Sequence, residues 1–124
     1  MTLTNVVTSI RNEIPELDYV FSGKGKENLI TESTGAHVVF GILFVPYITS
    51  MLKSQPQPSD FLLRVFAFFE EMALCKNEEV REVLQYSVLE VLGDDTDAYN
   101  EAQKFFLAET KRLSDDIEGF LGRR

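Results

Sequence analysis

Between Glu70 and Glu118 the chain sets apolar residues at helical spacing among 14 Asp/Glu and only five Lys/Arg. A stretch of this kind buries one stripe of each helix and leaves the remainder in water. It therefore restricts the chain to packed amphipathic helices with one strongly negative side. Five cations against 14 acids leave −9 there, within a chain total of −8.

The 124 residues are enough for one domain with one core. With 44% hydrophobic and 26% charged residues the composition is that of a globular protein, and ten Phe with no Trp predict a core rich in Phe and Leu. A single cysteine, Cys75, excludes an internal disulfide framework. No cationic and apolar leader is visible at Met1-Thr2-Leu3-Thr4-Asn5. The longest apolar run, from Val38 to Ile48, falls short of the roughly 20 residues that span a bilayer. The reading is a soluble cytoplasmic protein. Net negative charge argues against non-specific nucleic-acid binding and against an anionic membrane surface, and favours basic partners. Solubility alone is the plainer account of the charge.

Leu3, Val6, Val7, Ile10 and Ile14 predict a first helix, capped by Thr2 or Thr4 and ended by Pro15. Residues 16–35 read as the least structured part, with Gly23-Lys24-Gly25-Lys26 as a basic loop and a mobile segment at about 22–35. From His37 to Lys53 nearly every side is apolar. This predicts a buried central helix kinked at Pro46, although its β-branched residues also permit a strand. Gln55-Pro56-Gln57-Pro58 marks a linker at about 54–59, after which Ser59 or Asp60 caps a helix with the stripe Phe61, Leu62, Val65, Phe66, Phe69, Met72 and Ala73.

Asn77 should cap a helix over 78–92 with the inner face Val80, Val83, Leu84, Ser87, Val88 and Val91. Glu79, Glu82, Tyr86 and Glu90 then fall within about 80° of one another on the opposite face. Gly93 closes that helix. Thr96 or Asp97 caps a last one, broken near Leu107 to Thr110, and Gly122-Arg123-Arg124 reads as a basic tail. The expected fold is all-α: a single-domain irregular bundle of about five helices arranged as HEAT-like helical hairpins.

Motifs for chemistry are sparse. His37 is the only histidine, so no His-based zinc site and no Glu-x-x-His pair of a di-iron bundle can form. His37 is expected at a helix N-terminus or in the core. Cys75 beside Lys76 is expected as a buried thiol, with a nucleophile or a Cys75–His37 dyad as the alternative. Gly23-Lys24-Gly25-Lys26 lacks the phosphate-loop pattern. Asp94-Asp95-Thr96-Asp97 lacks the glycine and the bidentate glutamate of a calcium loop. No metal and no cofactor is expected, and the chain is read as a binding protein rather than an enzyme.

The remaining constellation is an acidic surface around an aromatic: Glu79, Glu82, Tyr86, Glu90, Asp94, Asp95 and Asp97. Carboxylates around an aromatic can meet Lys and Arg of a partner and speed its association. A solvated outer face is the alternative.

The segments Phe66-Ala67-Phe68-Phe69-Glu70-Glu71-Met72-Ala73, Asn77-Glu78-Glu79-Val80-Arg81-Glu82-Val83-Leu84 and Ser87-Val88-Leu89-Glu90-Val91-Leu92-Gly93-Asp94-Asp95 resemble a family of small bacterial all-helical domains of uncharacterised function. Glu109-Thr110-Lys111-Arg112-Leu113 extends the resemblance, which covers about residues 58–124. It implies a helical domain without enzymatic activity, similar to the immunity proteins that accompany toxins. The expected function is then to bind and neutralise a cognate toxin, a basic nuclease, with no nucleic acid or membrane as partner and as a monomer or homodimer. A self-associating or scaffold domain is the second expectation, and a small enzyme using Cys75 or His37 the third.

Overall fold

A computed structural model describes residues 1–124. It is 72% helical, has no strands, and contains seven helices rather than about five. They are α1 (Val6–Glu13), α2 (15–25), α3 (36–52), α4 (Ser59–Ala73), α5 (78–92), α6 (Thr96–Ala102) and α7 (Ala108–Leu121).

Two additions raise the count. Pro15 ends α1 as expected, but it also opens α2 at its first position, where a missing N–H costs nothing. The chain breaks at residues 103–107, so the expected last helix is two, α6 and α7. The segment expected as a mobile loop at 22–35 is partly helical, because α2 widens into π geometry at Phe21–Gly25. Gly23-Lys24-Gly25 lies inside that turn and is no loop. Gly25 is buried, and a Cβ there would rest on Leu43 and Ile30.

Caps also depart from expectation. The N-terminal flank of α1 is Asn5, not Thr2 or Thr4, and that of α4 is Pro58, each without a side-chain cap. Asn77 caps α5 as expected, its side-chain oxygen accepting from the Val80 N–H at 3.3 Å. Asp95, rather than Thr96 or Asp97, caps α6 by accepting from the Ala98 N–H at 3.0 Å.

The core is one cluster of 32 buried residues, and seven of the ten Phe lie in it. Phe66 meets Phe69 edge-on at 5.3 Å and stacks on Phe105 at 5.7 Å. Phe40 and Phe44 pair edge-on at 5.3 Å within α3. Helices α3 and α5 occupy the centre. α5 packs on α3, α4 and α7, while α3 packs on α2, α4, α5 and α6.

Both central helices contain a π segment, Val39–Phe44 in α3 and Val83–Leu89 in α5. A π turn inserts an extra residue and rotates everything after it relative to an α-helical pattern. The consequence in α5 is direct: Leu89 and Leu92 are buried, and Val91, expected inside, is only partly covered. In α3 the expected all-round burial fails on one side. Val38 and Ile42 are 47% and 62% exposed.

Candidate functional site

Helix α5 carries Glu82, Tyr86 and Glu90 on the side away from its buried residues, Tyr86 exposed and the two acids half-buried. Glu79 extends the same side. Tyr86 is 51% exposed. Asn77 fixes the start of this helix, and the buried Val80, Val83, Leu84 and Val88 fix its rotation, so this side must point outward.

The seven acidic-surface residues divide into two groups. Glu79, Glu82, Tyr86, Glu90 and Asp97 make no side-chain hydrogen bond or ion pair that occupies them. Asp94 and Asp95 have structural work. Asp95 holds α6 by its cap and pairs with Lys53 at 2.7 Å, and that lysine draws its carboxyl below the usual carboxylate range. Asp94 pairs with Arg123.

Twelve of the 20 Asp and Glu stand in ion pairs. Of those that do not, Glu78, Glu79, Glu82 and Glu90 sit on α5, and Asp97 follows it in α6. The others are Glu13, Glu70 and Glu71, so half of the eight unpaired acids lie on this one helix.

The apolar side of the site comes from α3. A Cβ on Gly41 would stand 3.5 Å from the Ser87 carbonyl oxygen, so the two helices approach closely there. His37, one turn earlier, joins α3 to α5 by a 2.6 Å hydrogen bond between Nδ1 and Ser87 Oγ. The exposed arc of α3 beyond Gly41 carries Val38 and Ile42, and the exposed arc of α5 beyond Ser87 carries Tyr86 and Glu90. The two helices run in the same sense, since His37 and Gly41 meet Ser87 and, past their C-terminal ends, Lys53 meets Asp95, so both arcs border one side of the seam between them. A separate cavity of about 390 Å³ lies at the start of α3, lined by Leu3, Val7, Phe21, Val38 and several Thr and Ser side chains and by no residue of α5.

Sequence reasoning did not find Val38, Ile42 or Ser87 as site residues. Their signal was weak, because a wholly apolar segment does not say which side is left uncovered. His37 sits at the N-terminus of α3, one of the two places expected for it, but is exposed and bonds Ser87 rather than Cys75. Cys75 is a half-buried free thiol just after α4, with its sulfur 3.5 Å from the Met1 carbonyl oxygen. The expected basic tail is folded back, for Arg123 and Arg124 both clamp Glu118. No helix is long and apolar enough to cross a membrane.

A family model described as a domain of unknown function, DUF7674, matches residues 7–122. The chain belongs to the DUF7674 family. The match includes α1 to α3, so the similarity reaches well before residue 58, where the sequence resemblance began. No curated protein and no solved structure matches this DUF7674 chain.

Proposed function

We propose that this chain is a non-enzymatic immunity protein that binds and neutralises a cognate protein toxin, with the outer side of α5 as its contact surface. The partner in this reading is basic, a nuclease whose substrate groove carries Lys and Arg. The observation that carries it is the concentration of unpaired carboxylates on α5: Glu78, Glu79, Glu82 and Glu90 around the half-exposed Tyr86. Free acids on a rigid helix already have the geometry that a basic surface needs, and the exposed aromatic supplies an anchor for desolvated contact. We read the neighbouring helices as HEAT-like hairpins that hold this face rigid.

Capture of partners from lysate of the source cell, at low and at moderate salt, tests the reading. A single basic toxin-like protein should be retained at low salt and lost as salt rises. Reversing Glu82 and Glu90 to Lys should weaken its binding by about tenfold or more. Undiminished binding by the double variant, or a partner without basic character, would overturn the proposal.

One observation favours a second reading. Exposed Val38 and Ile42 make an apolar patch on α3, which is what a self-associating or scaffold domain would use. Light scattering across concentration separates this from a monomer.

A further inference from the structure

We propose that the seam between α3 and α5 takes a basic amphipathic helix of the partner protein, seated on Val38, Ile42 and Tyr86 with its cations on Glu82 and Glu90. The inference rests on the reading of α5 as a surface for basic proteins and adds the form of the segment that binds.

Three features of the seam select this occupant. Its walls are helices, and the fold has no strands, so there is no sheet edge for an extended peptide to join. Helix-in-groove docking is the mode that two helical walls allow. Val38 and Ile42 are four residues apart, about 6 Å along the axis, which is the spacing of i and i+4 anchors on a partner helix. Tyr86 adjoins Ser87 on the same side of the seam, where Gly41 and Ser87 put only small side chains between the two helices.

Charge decides between a foreign helix and a second copy of this chain. Glu82 and Glu90 bracket Tyr86 one turn to either side; neither carboxylate is in an ion pair, and Arg123, which donates to the Glu90 carbonyl oxygen at 3.0 Å, pairs with Glu118 and Asp94 instead. A two-fold pairing of this surface with itself would set those acids against their equivalents. A helix with Lys or Arg beside an apolar stripe meets both sides of the seam. The patch is small against the roughly 800 Å² per partner of a standard interface, so one helix alone should bind at about micromolar strength.

Two labelled synthetic peptides of about four turns, built from Leu, Ala and Lys, are the probes. In one the leucines form a single stripe; in the other the same residues are spread around the helix. Fluorescence anisotropy against the full chain should show the striped peptide binding about tenfold more tightly, with helix formation seen by circular dichroism. Ile42→Ser should abolish that preference while leaving thermal stability unchanged, since the side chain is exposed.

Equal binding of the two peptides, both lost in the Glu82→Lys/Glu90→Lys variant, would overturn the helix proposal and leave the acidic-face reading standing. Preference for the stripe that ignores charge reversal would overturn both. A dimer in sedimentation that Ile42→Ser dissociates would identify a second copy as the occupant and also overturn the proposal.

Discussion

The Glu70 carboxylate caps α7 across the molecule, accepting from the Thr110 N–H at 2.8 Å and from the Thr110 hydroxyl at 2.9 Å. The Glu109 N–H donates to its other oxygen at 3.0 Å. The residue before α7 is Leu107, which has no side chain able to cap. A carboxylate from α4 thus does what a Ser or Asp at the helix start does elsewhere, and its charge also complements the helix dipole. Thr110 is fully buried, so its hydroxyl depends on this one partner.

Glu70→Ala should therefore destabilise the fold by about 2 to 3 kcal/mol, since buried donors are left unmet. Glu70→Gln should cost less, about 1 kcal/mol, because an amide oxygen still accepts but without charge. Urea unfolding of the two variants measures the difference. Equal, small losses would mean that water replaces the carboxylate.

Glu118 is 2% exposed, and it survives as an ion because two arginines surround it. Arg123 donates to both of its oxygens at 2.8 and 3.0 Å, and Arg124 donates at 2.9 Å while lying over the Tyr99 ring at 3.8 Å. The chain turns back through Gly122, whose φ of 69° is left-handed. Removing Arg123 and Arg124 should cost about 3 to 5 kcal/mol, as an unpaired buried carboxylate remains. Glu118→Gln in the truncated chain should recover much of that loss. If truncation leaves the unfolding midpoint unmoved, the clamp adds nothing to stability.

Gly93 belongs to the same clamp. Its backbone is ordinary right-handed helix, so conformation does not require glycine there. A Cβ would instead collide with Glu118 Oε1 and Arg123 Nη2. Gly93→Ala should cost about 1 to 3 kcal/mol by prising those groups apart. Its effect should shrink in the chain lacking Arg123 and Arg124, which a double-mutant cycle reads directly.

How much of this the sequence carries depends on the range of the interaction. The Asn77 cap, the shared outer side of Glu82, Tyr86 and Glu90 and the break near Leu107 are local, and periodicity shows them. The exchange of Val91 for Leu92 at the α5 interior follows from a π turn, which no local residue preference announces. The exposure of Val38 and Ile42 follows from where α5 happens to lie. Glu70 and Glu118 act on partners that are respectively 40 and five residues away. Glu118 did leave a trace, for it continues the buried row Thr110, Ser114 at four-residue steps. The binding face divides in the same way: Glu82 and Glu90 are legible from spacing, whereas the pairing of Asp94 and Asp95 with Arg123 and Lys53 is set by tertiary folding.

Leu29 closes α2 in a left-handed conformation, φ 60°, and is 88% exposed. The turn is held by the Ile30 N–H donating to the Gly25 oxygen at 2.8 Å and the Leu29 N–H donating to the Lys26 oxygen at 3.2 Å. This is the position that glycine usually fills at a helix end. A leucine here bears the steric cost of its Cβ without compensating burial. Leu29→Gly should stabilise by about 1 kcal/mol, and Leu29→Val should destabilise. Thermal unfolding of both decides; loss of stability in the glycine variant would show that the leucine makes a contact worth more than the strain.

Glu71 and Asp95 should respond to pH with opposite signs. Desolvation, and then the nearby Glu13, raise the Glu71 carboxyl above its ordinary value. The folded chain therefore holds that proton more tightly than the unfolded chain does. What Glu71 contributes is present in acid and lost as pH rises through its folded value, so at neutral pH its charge is a cost. Asp95 is lowered, first by Lys53 and then by the Ala98 N–H, so its contribution is present at neutral pH and lost as pH falls through its folded value. Glu71→Gln should thus stabilise at pH 7 by a few tenths of a kcal/mol, since the site is largely solvated, and the gain should vanish below about pH 4. Asp95→Asn keeps the α6 cap, because asparagine caps as well as aspartate, and removes only the charge. It should destabilise at pH 7, and that loss should also fade in acid. Urea unfolding of the two variants from about pH 3 to 8 should give curves that converge on the parent from opposite sides at the acid end; curves of the same sign would mean that the charges around these two carboxylates are not arranged as described.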